Sequence, residues 1–113
     1  GADEIDMVLG IGRAKAADWE YVYQDIRLVV LSAASRPVKV ILETGLLTDE
    51  EKVKACQVAV EAGAAYVKTS TGFGHGGATV HDVALMKRAV DGRAKIKASA
   101  GIAIVQGELH DGE

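Results

Sequence analysis

The chain has 113 residues, a formal net charge of −3, and 49% apolar and 26% charged residues, which is typical of one globular domain with a modest core. Its basic residues are scattered and its apolar runs are too short to span a bilayer. We therefore expect neither nucleic acid nor a membrane as a partner. A single cysteine, Cys56, can form no internal disulfide. That fits a reducing compartment, and we expect a cytoplasmic protein.

The first part of the chain alternates between strand and helix patterns. Residues 4–9 predict a strand, and Asp18 can cap a helix that runs to about Ala34. Pro37 would stop that helix from continuing, and residues 38–43 predict the second strand. The apolar residues of the helix follow the three-and-four spacing of a buried stripe and are Trp19, Val22, Tyr23, Ile26 and Val30.

The second part of the chain repeats this order. Thr48 and Glu51 have the spacing of a capping box, which predicts the start of a helix. Gly63 is well placed to close that helix in the left-handed conformation. The remaining predicted elements are a third strand at 65–69, a glycine-rich loop at 72–77, a third helix that Thr79 opens and Gly92 closes, and a fourth strand at 95–99.

Strand and helix recur with a period of roughly thirty residues, the size of a β–α–β unit. This order predicts an α/β fold with a parallel sheet and helices outside it. A closed (β/α)8 barrel and an open doubly wound sheet both fit the pattern. A complete barrel needs about 250 residues, so residues 1–113 would form one partial barrel domain of four parallel strands and three intervening helices. The open edges of such a half-barrel favour self-association.

Charged residues interrupt strands that should be apolar. Parallel strands are usually buried on both faces, yet these predicted strands carry Asp6, Lys39, Lys68 and Lys97. Because side chains alternate along a strand, all four residues can share the face that becomes a barrel interior. A neutral lysine amine can attack a carbonyl to form a Schiff base, and desolvation or a second ammonium favours the neutral form. The alternative is that these lysines lie at strand ends and pair with aspartate or glutamate.

Five segments closely resemble the deoxyribose-phosphate aldolases, a family of class I aldolases that act through a lysine Schiff base. The resemblance covers about residues 1–102, with the segments in the right order, and KTSTG is the most specific string. The segments are GADEIDMV at 1–8, VKVILETG at 38–45, AGAAYVKTSTG at 62–72, GFGHGGAT at 72–79 and KASAG at 97–101.

The resemblance implies a (β/α)8 barrel and the reversible cleavage of 2-deoxy-D-ribose 5-phosphate to D-glyceraldehyde 3-phosphate and acetaldehyde. It also implies a phosphorylated sugar as the partner and no metal or other cofactor. The matching residues are Lys68 as the Schiff-base nucleophile, Lys97 as a second lysine whose charge makes the first easier to deprotonate and which exchanges protons, Asp6 as a proton relay that works with water, Lys39 as a further lysine lining the site, and Gly72 and Gly101 as substrate-binding positions.

The histidines do not favour a metal site. His75, His81 and His110 do not form a metal-binding spacing with Cys56. We interpret Cys56 as a small buried apolar residue of its helix.

Two features favour a different class of function, a catalytically inactive aldolase fragment that acts, if at all, as an interaction module. Members of the family are roughly twice as long, and much of their phosphate site lies on the final barrel loops. The loop after Lys97 also differs, because Ala100 stands where the family has a glycine and Ala103 where it has an arginine. A transaldolase type of Schiff-base barrel is a third reading.

Overall fold

The structure is a computed structural model, and it describes residues 4–69 and 79–98. No helix in these two ranges is both long and apolar enough to cross a membrane. The elements are the strands β1 (Ile5–Val8), β2 (Val38–Leu42), β3 (Tyr66–Thr69) and β4 (Lys95–Lys97), the helices α1 (Ile11–Lys15), α2 (Trp19–Ser32), α3 (Asp49–Glu61) and α4 (Val80–Val90), and a short 3-10 turn at Thr44–Leu46.

The four strands form one parallel sheet in the order β1-β2-β3-β4. This confirms the predicted α/β fold with a parallel sheet. An open doubly wound sheet reverses its strand order at a switch point, and the four described strands show no such reversal. Each strand lies beside the next one in the chain, which is the strand order of part of a (β/α)8-type barrel.

One face of the sheet carries the hydrophobic core. Alternate residues of the strands, including Val40, Leu42 and Val67, are fully buried there. Short, apolar and mostly β-branched side chains suit this position, because they fill the space between a pleated surface and the helices that cover it. The helices contribute the buried residues Val22, Ile26, Ala55, Cys56, Ala59, Val83, Met86 and Val90.

Two helices begin with a capping box. The predicted box at Thr48 is confirmed, since the Glu51 amide donates to Thr48 Oγ1 at 3.1 Å and the Thr48 amide donates to Glu51 Oε1 at 2.8 Å. A second box, in which Thr79 and Asp82 play the same parts, opens α4. Thr79 was predicted to open this helix, but the reciprocal bond from its amide to Asp82 was not. Each box satisfies two backbone amides that a helix start would otherwise leave unpaired.

The connection after β1 and the end of α2 differ from the sequence-based prediction. A five-residue helix, α1, precedes α2, whereas only one helix was expected there. Helix α2 ends at Ser32 rather than near Ala34, because Ala34 and Ser35 have positive φ angles of 55° and 74°. The chain thus leaves the helix through left-handed backbone before it reaches the proline that was expected to stop it.

Candidate active site

The charged strand residues lie on the face of the sheet that the helices leave uncovered. In the parallel register Asp6 lies beside Lys39, and Lys68 lies beside Lys97. Lys39 lies beside Tyr66, which shares a face with Lys68 because side chains alternate along a strand. This confirms that the four predicted residues share one face. We call it the inner face, and it comprises Glu4, Asp6, Val8, Lys39, Ile41, Tyr66, Lys68, Lys95 and Lys97.

Lys39 is held by carboxylates at the start of β1. Its Nζ lies 2.9 Å from Glu4 Oε1 and 3.5 Å from Asp6 Oδ1. Only 11% of the side chain of Lys39, and the same share of Glu4, is exposed. The hydrogen bond to Glu4 raises the pKa of Lys39 despite its burial, and Lys39 in turn is the main reason that the pKa of Glu4 falls to about 2. Both groups are therefore charged at neutral pH.

Lys97 contacts the same glutamate from the opposite edge of the sheet. Its Nζ lies 3.4 Å from Glu4 Oε2 and 4.7 Å from the centre of the Tyr66 ring. An ammonium above the face of an aromatic ring is attracted by the ring's quadrupole. Tyr66 and Glu4 thus define where the charge of Lys97 lies on the inner face.

Lys68 differs from the other two lysines that were singled out. It is partly buried, and it lies directly beside Lys97 on the neighbouring strand. Within the residues that the structure describes, no hydrogen bond or ion pair to Lys68 is seen. The alternative reading, in which the strand lysines pair with carboxylates, therefore holds for Lys39 and Lys97 and not for Lys68 within these ranges.

Asp6 lies near the rim of this charged cluster. About half of its side chain (52%) is exposed, and its contact with Lys39 is longer than that of Glu4. A carboxylate in this position can exchange protons with water while it remains near an ammonium group. The geometry suits a proton-transfer group more than a buried structural one.

Sequence reasoning missed Glu4 and did not give Tyr66 a role. A signal for Glu4 was present, because Glu4 is two residues before Asp6 and so falls on the same face. Three lysines on one face also require counter-charges. No local pattern, however, predicts which carboxylate reaches which lysine.

Some predicted residues lie outside the described ranges. These include Gly72 and Gly101, the two proposed substrate-binding positions, and the loop at 72–77. Among residues 4–69 and 79–98, no group of three or more His, Cys, Asp or Glu side chains could hold a metal ion. Cys56 is fully buried, and burial raises the pKa of its thiol to about 12. This agrees with its interpretation as a small core residue.

Comparison with known proteins identifies relatives of the chain. No protein-family model matches it. It is 60% identical to a deoxyribose-phosphate aldolase of Carboxydothermus hydrogenoformans over 90% of this chain and 46% of that protein. It is 47% identical to a deoxyribose-phosphate aldolase of Streptococcus suis over 100% of this chain and 62% of that protein.

The fold gives the same result. The solved structure of an aldolase named QR15 superposes with a TM-score of 0.81 at 38% identity, over 88% of this chain and 45% of that one. The chain spans about half the length of the curated relatives it matches. By sequence and by fold, the chain is similar to the deoxyribose-phosphate aldolases and corresponds to about half the length of one of them.

Proposed function

We propose that this chain carries the Schiff-base site of an aldolase that reversibly cleaves 2-deoxy-D-ribose 5-phosphate to D-glyceraldehyde 3-phosphate and acetaldehyde. The observation that carries the proposal is the contrast between the lysines of the inner face. Lys39 and Lys97 contact the Glu4 carboxylate, whereas Lys68 has no carboxylate contact among the described residues and lies beside Lys97.

In the proposed reaction, Lys68 is the nucleophile. Its neutral amine adds to the aldehyde carbon of the open-chain sugar, and loss of water gives a protonated Schiff base. The bond between the second and third sugar carbons then breaks. Its electron pair moves into the Schiff base to form an enamine, and the hydroxyl on the third carbon loses its proton to a base. Protonation of the enamine and hydrolysis release acetaldehyde and restore Lys68.

Lys97, Asp6 and Lys39 would support this chemistry. The ammonium of Lys97 disfavours a second positive charge at Lys68. It can also donate a proton to the hydroxyl group that leaves as water when the Schiff base forms. Asp6, which is half exposed, would move protons through a water molecule. Lys39 would line the site as a permanent positive charge beside Asp6. Gly72 and Gly101 remain the proposed substrate-binding positions.

We also propose that the chain self-associates. Among the described strands, β1 and β4 each pair on one side only, and such free edges offer unpaired backbone groups to another chain. An open cavity of about 800 Å³ surrounds the edge of β4, lined by residues that include Tyr66, Val90 and Ile96. On the inner face, Val8 is 56% exposed.

The test of the catalytic proposal is mass spectrometry after incubation with acetaldehyde and borohydride. Borohydride reduces a Schiff base to a stable N-ethyl lysine, so the labelled residue can be mapped. We expect one ethyl group confined to Lys68, and none in a Lys68→Ala variant. Lys54, an exposed lysine on α3, serves as the reference for unspecific labelling. If all lysines are labelled equally, the chain is better described as an inactive fragment, the second of the two functional classes.

A further inference from the structure

Glu4 contacts lysines that come from two different strands of the inner face. Its two carboxylate oxygens divide between them, with Oε1 2.9 Å from Lys39 Nζ and Oε2 3.4 Å from Lys97 Nζ. The carboxylate is also largely shielded, since 11% of the side chain is exposed. It is thus built into the inner face and does not lie on the surface.

The contact between Glu4 and Lys97 depends on the curvature of the sheet. Neighbouring strands lie about 4.8 Å apart, so a flat sheet would separate β1 from β4 by about 14 Å. In the register of the sheet, Lys97 is aligned with Val8, which lies well beyond Glu4 along the direction of β1. The two side chains meet because the sheet curls towards the inner face. Glu4 therefore ties the first strand of the sheet to the fourth.

The charges around Glu4 explain why a carboxylate at this position stabilises the inner face. The inner face presents Asp6 from β1, Lys39 from β2, Tyr66 and Lys68 from β3, and Lys95 and Lys97 from β4. The lysines outnumber the carboxylates. A carboxylate that remains ionised at neutral pH is what stabilises two ammonium groups placed close together.

We infer that Glu4 is a positioning residue of the aldol site, which contacts the ammonium groups of Lys97 and Lys39 and holds Lys97 at a fixed place beside Lys68. This inference rests on the proposed function for its chemical meaning, but the arrangement itself can be tested without activity. Glu4 does not touch the reacting carbon in this scheme. It acts through Lys97, the proton donor, and through Lys39, the neighbour of Asp6.

The first measurement is the reactivity of individual lysines towards a short pulse of acetic anhydride, mapped by mass spectrometry in the whole chain. Only the neutral amine reacts, so a lysine held as an ammonium is protected. In Glu4→Gln we expect Lys39 and Lys97 to be acetylated about three- to tenfold faster, because each loses a charge partner within hydrogen-bonding distance in a partly shielded site. Lys54 should not change.

The matched control is Glu51→Gln, which removes a carboxylate that contacts Lys15 at 2.7 Å on the helical side of the molecule. There we expect faster labelling of Lys15 and unchanged labelling of Lys39 and Lys97. If Glu4→Gln leaves Lys97 as protected as in the original chain, the inference is wrong.

A second variant keeps the test decisive if Glu4→Gln does not fold. Glu4→Asp retains the negative charge on a shorter side chain, which can still reach Lys39 from the neighbouring strand but not Lys97 on the far strand. We expect Lys97 to lose its protection and Lys39 to retain it. Equal protection of both lysines in this variant would overturn the inference.

The pH dependence of the acetaldehyde adduct separates positioning from a merely structural role. If Glu4 holds the Lys97 ammonium beside Lys68, the pH range over which the adduct forms at Lys68 should differ between Glu4→Gln and the unaltered chain. A merely destabilised variant would lose adduct equally at every pH, and that result would contradict the inference. If the unaltered chain forms no adduct, the proposed function fails, and the acetylation pattern still decides whether Glu4 holds the two ammonium groups.

Discussion

At the scale of single residues, burial distinguishes ion pairs that look alike in the sequence. Asp82 and Glu51 occupy the same position in the two capping boxes, and each also contacts a lysine. The pair between Lys52 and Asp82 joins α3 to α4, with 10% and 8% of the two side chains exposed. The pair between Lys15 and Glu51 is 44% and 21% exposed. Burial is the largest single effect and lowers the pKa of Lys52, but the hydrogen bonds that Lys52 donates to Asp82 and Asp49, together with the charges of these carboxylates, outweigh it and raise that pKa.

We therefore expect Asp82→Asn to cost much more stability than Glu51→Gln. Loss of the Asp82 charge leaves the Lys52 ammonium buried with only Asp49, at 3.4 Å, and should lower the free energy of unfolding by about 3 kcal/mol. The exposed pair should contribute less than about 1 kcal/mol. Urea denaturation of both variants measures the difference. Similar costs would mean that capping, which both variants disturb alike, dominates over the buried pair.

At the scale of elements, two glycines close helices in different surroundings. Gly63 follows α3 with φ +103°, and a Cβ built there would lie 3.1 Å from Val30 Cγ1 on α2 and 3.2 Å from Arg27 Nη1. Gly92 follows α4 with φ +76°, and a Cβ there would meet nothing within 4 Å. Both were predicted to end their helices. Only the structure shows that one of them also sets how closely two helices pack.

Alanine at these two positions should separate backbone strain from packing. We expect Gly92→Ala to lower the free energy of unfolding by about 1 kcal/mol, the cost of a left-handed non-glycine residue. Gly63→Ala should cost about 2 kcal/mol or more, because Val30 on α2 must also move. Thermal unfolding followed by circular dichroism gives both values. If the two costs are equal, α2 and α3 can separate slightly without penalty.

At the scale of the whole molecule, the described helices cover one face of the sheet. The helices bury the outer face, while the inner face and the free edges of β1 and β4 lack such a cover among the described residues. A second exposed apolar area lies on α2, where Leu28 and Leu31 are each 65% exposed. Both areas are candidates for contact with another copy of the chain, and they lie on opposite sides of the sheet.

We expect light scattering of the 113-residue chain to show a mass above 11.8 kDa that increases with concentration. Val8→Lys should reduce this association, because it places a charge on the exposed inner face next to the free edge of β1. Leu28→Lys is the matched control on the helical side and should have little effect. The reverse pattern would assign the contact to α2, and a monomer at all concentrations would contradict self-association.

Much of the fold was predictable because it depends on local patterns. The alternation of strand and helix, the capping box at Thr48 and the closing glycines are properties of short stretches, and the structure confirms them. The short helix α1 and the early end of α2 at Ser32 were not predicted. They depend on how the chain turns after β1 and after α2. No apolar period marks the first place, and Pro37 lies beyond the point where α2 ends.

For the site, the sequence by itself determined which residues share the inner face. Strand alternation is local, so Asp6, Lys39, Lys68 and Lys97 could be assigned to one side of the sheet before any contact was known. Tertiary structure alone decided how those charges are paired. Glu4 and Lys97 are 93 residues apart in the chain, and they meet because the sheet curls and brings β1 towards β4. Curvature belongs to the assembled sheet and not to any single strand. For this reason only the tertiary structure shows that Lys97 contacts a carboxylate, whereas Lys68 contacts none among the described residues.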